Sequence, residues 1–361
     1  MNNKTQYYTG NIILVLMIIS FQSIAQNAIK THEISLDSRI IETSGLIYSN
    51  NNYLSHNDSQ GLPQLYGIDS TSGNVSHVIN TGIYRNRDWE DIAYYNDNIY
   101  VGDIGNNSGA RTDLKIYKLS GSDKFEKPTD STHFVFEDQT VFERNFRNTP
   151  YDCEAFFVYK QTAYIFSKDW GTQHTTFYKL SLNQPYDTAR VLYKLDVDCL
   201  ITAADFLPES QTIACTGYEK GFPIKPIIIF ISFNSDNEKI SSIIRYRLPE
   251  KNRQIEAITW LNKHTICITN EFYTLTPAKM SWYDVSDFTN IKFDYSTQDK
   301  NTILCKGIYG KYKIFNASNK KLKSGRISKK SRSASILLPE DACKIQIKTK
   351  TSSALIYVDN N

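Results

Sequence analysis

The chain has 361 residues and carries 41 Lys and Arg against 38 Asp and Glu, a formal charge of +3. That total conceals two opposite parts: residues 300–361 hold 14 basic and 3 acidic residues, whereas residues 1–299 hold 27 basic and 35 acidic. With 40% hydrophobic and 22% charged residues the chain is globular, which excludes a disordered chain, a uniformly basic nucleic-acid binder and a multispanning membrane protein.

The first 25 residues read as a secretory signal peptide. Lys4 gives a positive start, Ile12 to Ile19 is an apolar run too short to span the roughly 30 Å of a bilayer, and Ser23-Ile-Ala25 places small residues before a cut at Gln26. The protein is therefore expected to be exported, to the periplasm, the outer-membrane surface or beyond, with no transmembrane span. Six cysteines in an exported chain permit disulfides, and Cys305 with Cys343 is the pair favoured by position. No Cys stands in a nucleophile context.

Residues 26–299 contain an internal repeat. Five segments begin Glu42-Thr-Ser-Gly-Leu-Ile-Tyr, Glu90-Asp-Ile-Ala-Tyr-Tyr, Glu154-Ala-Phe-Phe-Val-Tyr, Ala204-Asp-Phe-Leu and Glu256-Ala-Ile-Thr-Trp-Leu, with starts 48, 64, 50 and 52 residues apart. A second column, Asp58, Gly105, Asp169, Glu219 and Glu271, follows at a near-constant offset. An aromatic third column comprises Tyr66, Tyr117, Tyr178, Phe230 and Tyr283. Fourth strands are predicted at Val75 to Asn80, His133 to Glu137, Arg190 to Leu195 and Ser242 to Leu248. The fifth unit lacks one, and a spare strand, Thr31 to Leu36, precedes the first unit. Such a permutation closes a β-propeller, so the expected fold is all-β: a five-bladed propeller, or a six-bladed one if the long second unit conceals an irregular blade. Residues 300–361 read as short alternating strands, a small C-terminal β-sandwich.

In a propeller the starts of the innermost strands converge on one mouth of the axis. Glu42, Glu90, Glu154, Asp205 and Glu256 are thus candidate metal ligands. Carboxylates crowded together repel unless they hold protons or a cation. An all-oxygen donor set suits a hard divalent cation, calcium above all, which takes about 6–8 oxygens; no Cys/His cluster of zinc spacing occurs. The same carboxylates also suit an architectural role, capping N–H groups of a neighbouring blade. Candidate ligand-binding residues are Asn57, Asp58, Arg87, Trp89, Asn106, Asn107, Arg111, Asp169 and Glu271. His56, Asp103 and Lys168 are the candidates for catalysis, and Trp170 for an aromatic platform.

Two resemblances add to this reading. Ser55-His-Asn-Asp58, Asn86-Arg-Asp-Trp-Glu-Asp-Ile-Ala93 and Gly102-Asp-Ile-Gly-Asn-Asn107 with Arg111 resemble a family of secreted propellers from Bacteroidota. More loosely they resemble the SdiA-regulated and phytase-like propellers. The phytase-like resemblance implies calcium bridging a phosphate ester to an acidic channel, with Arg85, Arg87, Arg111 and Lys168 alongside; lactonase-type propellers share only the placement of their metal-binding acids. Tyr312-Lys-Ile-Phe-Asn-Ala-Ser-Asn-Lys-Lys-Leu-Lys-Ser-Gly325, Ile336-Leu-Leu-Pro339 and the last apolar strand resemble the C-terminal sorting domain of the type IX secretion system. That resemblance implies contact with the secretion machinery, although the chain ends Asp359-Asn-Asn361 where such domains end in basic residues. The functional expectation is a non-catalytic module binding a divalent cation and an unidentified small molecule or envelope ligand, with no nucleic-acid partner. The alternative is a metal-dependent hydrolase of phosphate esters or lactones.

Overall fold

The computed structural model describes residues 28–59, 61–120, 128–289, 293–294, 302–306, 310–328, 333–338, 342, 344–348 and 352–357. The expected leader with its cut before Gln26, Cys343 with its proposed pairing, and the terminal Asp359 to Asn361 lie outside these residues. No described helix is long and apolar enough to cross a membrane.

The described chain is all-β. Its first strand is β1 (Ile29–Ser35). A unit of four antiparallel strands follows, β2 (Thr43–Ser49), β3 (Asn52–Asn57), β4 (Gln64–Ile68) and β5 (Val75–Asn80). The second unit is β6 (Trp89–Tyr95), β7 (Asn98–Asp103), β8 (Leu114–Ser120) and β9 (Pro128–Phe136). The third is β10 (Asp152–Tyr159), β11 (Thr162–Lys168), β12 (Thr175–Ser181) and β13 (Tyr186–Leu195), and the fourth is β14 (Leu200–Leu207), β15 (Thr212–Glu219), β16 (Lys225–Asn234) and β17 (Lys239–Arg247). A fifth, β18 (Ile255–Asn262), β19 (Thr265–Asn270) and β20 (Lys279–Asp284), is completed by β1, which pairs antiparallel with β20. Glu33 pins that closing strand, accepting from Arg253 at 2.6 Å, Lys279 at 2.6 Å and Ser281 at 3.1 Å.

First strands pack side by side in the order β2, β6, β10, β14, β18 and back to β2, so they line a closed ring. The apolar faces pack between neighbouring units: Phe157, Phe166 and Phe177 of the third unit share one cluster with Phe206, Ile229 and Phe233 of the fourth. At one end of the ring the first two strands are joined by tight turns. Asn50-Asn51, Asn96-Asp97 and Lys160-Gln161 all have positive φ, the conformation of two-residue hairpins. The longer connections therefore gather at the other end, where the first strands begin. The extra residues of the second unit go partly into the 137–151 connection, which contains no strand.

Outer edges are covered in two ways that the repeat does not announce. The start of β13 runs parallel to β9, Tyr186 to Ala189 against His133 to Phe136, and joins the second and third units. The C-terminal strands are β21 (Phe293–Asp294), β22 (Thr302–Lys306), β23 (Gly310–Phe315), β24 (Lys321–Ile327), β25 (Ser333–Leu337), β26 (Lys344–Lys348) and β27 (Ser352–Tyr357). β27 pairs with β17, and the fourth unit continues as β17-β27-β26-β23-β24. Strands β21, β22 and β25 form a second small sheet. Ile314, Ile345, Ile347 and Ile356 join the core formed by Phe230, Tyr246 and Trp260. An edge with unpaired N–H and C=O groups invites association, and β27 removes that exposure from β17.

Candidate functional site

Every first strand slips register against its second strand near its start, and that slip decides which side chain is re-aimed; β18 slips again between Trp260 and Asn262. The slip near the start falls between Ser44 and Leu46, Trp89 and Asp91, Cys153 and Ala155, Ile201 and Ala203, and Ile255 and Ala257. The extra residues are Gly45, Glu90, Glu154, Thr202 and Glu256. Bulges bend a strand locally and are found beside functional sites. Three carry a buried glutamate. Gly45 has φ +64, and a β-carbon there would meet His56 Nε2 and the Ile92 nitrogen, each at 2.7 Å. Thr202 donates to the Ile255 carbonyl at 2.6 Å.

Carboxylates of the second unit meet one from the first. Oxygens of Asp58, Asp88 and Glu90 all lie within 4.8 Å of one another. Gly105 makes this possible: a β-carbon at that position would stand 2.1 Å from Glu90 Oε1 and 2.4 Å from Asp88 Oδ2. Asn86 fixes the surrounding backbone. Its Nδ2 donates to the carbonyls of Asn57 at 2.9 Å and Asp58 at 2.8 Å, and its Oδ1 accepts from the Trp89 N–H at 3.0 Å. Burial, then mutual repulsion, drives the protonation of the cluster. Asp58 is raised by burial; Asp88 is pushed up to about 7 by burial and the charge of Asp58; Glu90 is held well above the carboxylate range by burial, Asp58 and Glu154.

The neighbouring third unit carries a buried cation. Lys168 is ion-paired with Glu154, and its Nζ lies 4.7 Å from the ring centre of Trp170 and 5.2 Å from that of Tyr218. Burial opposes the ammonium, but Glu154, Tyr218 and Glu256 outweigh it and keep it protonated. The Trp170 indole donates to Asp152 Oδ2 at 2.6 Å, while Asp152 Oδ1 accepts from the N–H groups of Asn106 at 2.8 Å and Cys153 at 3.0 Å. Burial pushes Glu256 and Glu271 up to about 8. Glu90, Glu154, Glu256, Glu271 and Asp58 thus act on one another across the ring mouth. The three clustered groups offer oxygen only, which fits a hard cation and not zinc.

No family model and no curated protein matches this chain. Solved structures resemble it distantly. A member of the DUF4221 family from Bacteroides vulgatus shares 10% identity over 92% of this chain and 97% of its own, with a TM-score of 0.38. A chain of the mitotic checkpoint complex shares 10% over 99% of each, with a TM-score of 0.35. Hydrazine synthase of Kuenenia stuttgartiensis shares 10%, with a TM-score of 0.35; the match covers 63% of this chain and 64% of that one, less than two thirds of its length.

Several residues singled out by sequence have other partners. Glu42 is exposed and stands three residues before the bulge of its strand, outside the Glu90–Glu154–Glu256 column, although its charge reaches Asp58 and Glu271. Asp205 accepts from the N–H groups of Trp260 at 2.7 Å and Phe206 at 2.8 Å and from the Thr259 hydroxyl at 3.2 Å, tying the fourth unit to the fifth. Asp91 does the same for Phe156 and Ala204, at 3.1 and 3.2 Å. The bulge of β14 falls at Thr202, so Ala204-Asp205 stand two residues beyond the place that Glu90-Asp91 hold in β6.

The second unit's charged loop is satisfied internally. Arg111 pairs with Asp103 at 2.7 Å and Asp113 at 3.1 Å and donates to the Gly105 carbonyl at 2.8 Å; Arg87 also pairs with Asp113. Asn106 accepts from the Arg111 N–H and donates to the Tyr151 carbonyl, each at 3.0 Å, and the Asn107 carbonyl accepts from the Arg147 N–H at 2.8 Å. Asp169 closes its own turn by accepting from Gly171 and Thr172. Asn57 donates to the Arg39 carbonyl at 2.8 Å. His56 is fully buried edge-on to Trp89, with ring centres 5.6 Å apart, and burial pushes it down to about 4, so it is neutral at physiological pH. In the second column, Glu271 stands one place earlier than Asp58, Gly105, Asp169 and Glu219, level with Lys168 and Tyr218.

Asp88, Asp152 and the gap at Gly105 were missed. A signal exists: Asp88-Trp-Glu90 and Asp152-Cys-Glu154 repeat the same Asp-x-Glu at the same structural place.

Proposed function

We propose that the five four-stranded units are the blades of a β-propeller of an exported protein. Its axial mouth binds a divalent cation, calcium by donor type, through Asp58, Asp88 and Glu90. Through that cation the mouth holds a small-molecule or envelope ligand without turning it over. One observation carries the reading: three carboxylates from two units converge in space that the missing side chain of Gly105 leaves open. Repulsion among them is relieved either by protons or by a cation, and the raised affinity for protons is the property a cation would exploit. Melting with added calcium and with EDTA tests it. Calcium is expected to raise the Tm of the wild type and to leave Glu90→Gln unmoved; equal shifts in both would refute the site.

A metal-dependent hydrolase of phosphate esters or lactones is the second reading. It is favoured by the buried Lys168 standing among carboxylates, two of which titrate near neutrality. Calcium-dependent turnover of such substrates, lost in Glu154→Gln, would decide for it.

A further inference from the structure

Away from the mouth, the sheet built by β17, β27, β26, β23 and β24 has two unlike faces. Directly opposed residues of antiparallel strands lie on the same face. Tyr312, Ile314, Ile345, Ile347 and Ile356 point into the core. The other face carries Arg326, Lys311 and Lys348 as a row of opposed neighbours, continued by Ser353 and Arg245. A second row runs Lys321, Phe315 and Lys344, and between the two lie Ser324, Lys313 and Gln346. These five strands contain no acidic residue. Neighbouring strands are about 4.8 Å apart, and like charges directly opposed destabilise a sheet. No described carboxylate is ion-paired with Lys311, Lys313, Lys321, Arg326, Lys344 or Lys348.

The same face borders a cavity of about 660 Å³, walled on its far side by Asp196, Val197 and Asp198 of the β13–β14 connection. Arg245 and Arg247 enter it, held by Glu219, whose carboxyl is pushed down to about 2 against the opposing effect of burial. Among the described residues, Lys311, Lys313, Lys321, Arg326, Lys344 and Lys348 thus have no carboxylate partner and stand open to an anion.

We propose that this cleft binds an extended anionic oligosaccharide, a sugar chain bearing carboxylates or sulfates. Cation rows spaced by the strand separation would pair with charges repeated along a chain, and Gln346, Ser353 and Asn319 supply hydrogen bonds for hydroxyl groups between them. A flat anionic membrane fits worse, because the acidic Asp196–Asp198 wall would face it. Single-stranded nucleic acid fits worse too. It needs aromatic faces for its bases, and the half-buried Phe315 ring already carries Lys344, 5.6 Å from its centre.

The test is independent of the cation site. Hexagalacturonate is titrated into the full chain at low and physiological salt, beside neutral maltohexaose, polyphosphate and phosphatidylglycerol vesicles. Salt-sensitive binding of hexagalacturonate, weakened at least tenfold by Lys311→Gln with Lys348→Gln and unchanged by Lys263→Gln in the β18–β19 turn, outside the two rows and the cavity lining, would support the proposal. Equal binding of maltohexaose, binding confined to polyphosphate or vesicles, or an unaffected double variant would overturn it. Without ligand and at low salt the double variant is expected to melt at or above the wild type; a lower melt would mean that the cations serve the fold, and would also overturn the proposal.

Discussion

Gly105 stands where a β-carbon would lie 2.1 Å from Glu90 Oε1, so the carboxylate cluster exists because one residue of the second unit has no side chain. Nothing in the backbone requires glycine there, since its φ is not in the left-handed region. Gly105→Ala is expected to displace the Glu90 and Asp88 carboxylates, to cost about 1–3 kcal/mol through overpacking, and to abolish the calcium-dependent rise in Tm. Denaturant unfolding with and without calcium measures both effects.

Protonation of the mouth makes stability depend on pH. Asp88 titrates near 7 and Glu256 and Glu271 near 8, all above the range these groups have in an unfolded chain. Between about pH 4 and 8 the folded protein therefore holds more protons than the unfolded one. The contribution of these groups is complete below their unfolded pKa and is lost as pH rises through the folded values. Without cation, Tm at pH 8 is expected to lie below Tm at pH 6 from this source. Calcium should narrow that gap, since it replaces the protons; melts across the pH range in EDTA and in calcium test this.

Lys168 and Glu154 depend on each other. Breaking a buried pair by removing one partner costs about 3–5 kcal/mol, so Lys168→Met should unfold at markedly lower denaturant. The loss should be smaller at pH 5 than at pH 8, because burial raises the proton affinity of Glu154 and a neutral carboxyl needs no partner cation. Equal losses at the two pH values would show that Lys168 acts by packing against Trp170 and Tyr218 alone.

Asp205 separates architecture from site. Its carboxylate serves Trp260, Phe206 and Thr259. Asp205→Asn is accordingly expected to cost about 1–3 kcal/mol through weakened charge-assisted hydrogen bonds, and to leave the calcium shift of the remaining folded protein intact.

The repeat was legible because each unit restates the same apolar alternation, and the strand at Thr31 to Leu36 was legible because the fifth unit lacks a partner for β20. Function was harder to read because a one-residue bulge changes which side chain is re-aimed. In the sequence repeat Glu42 matches Glu90 and Asp205 matches Asp91, yet the bulges of their strands fall elsewhere, at Gly45 and Thr202. Arg87, Asn106 and Arg111 looked available because a sequence does not show that Asp113, Tyr151 and Asp103 occupy them. The pairing of β27 with β17 joins residues more than a hundred apart, and no local pattern announces it.

Calorimetric titration of calcium into the full chain at pH 6, 7 and 8, with the pH 7 run repeated in two buffers of different ionisation heat, reads the cation site and its protons together. One saturable site is expected, with protons released on binding, affinity rising from pH 6 to 8, and loss of the heat in Asp88→Asn with Glu90→Gln. Absence of saturable heat in the wild type, or binding undiminished in that double variant, would contradict it.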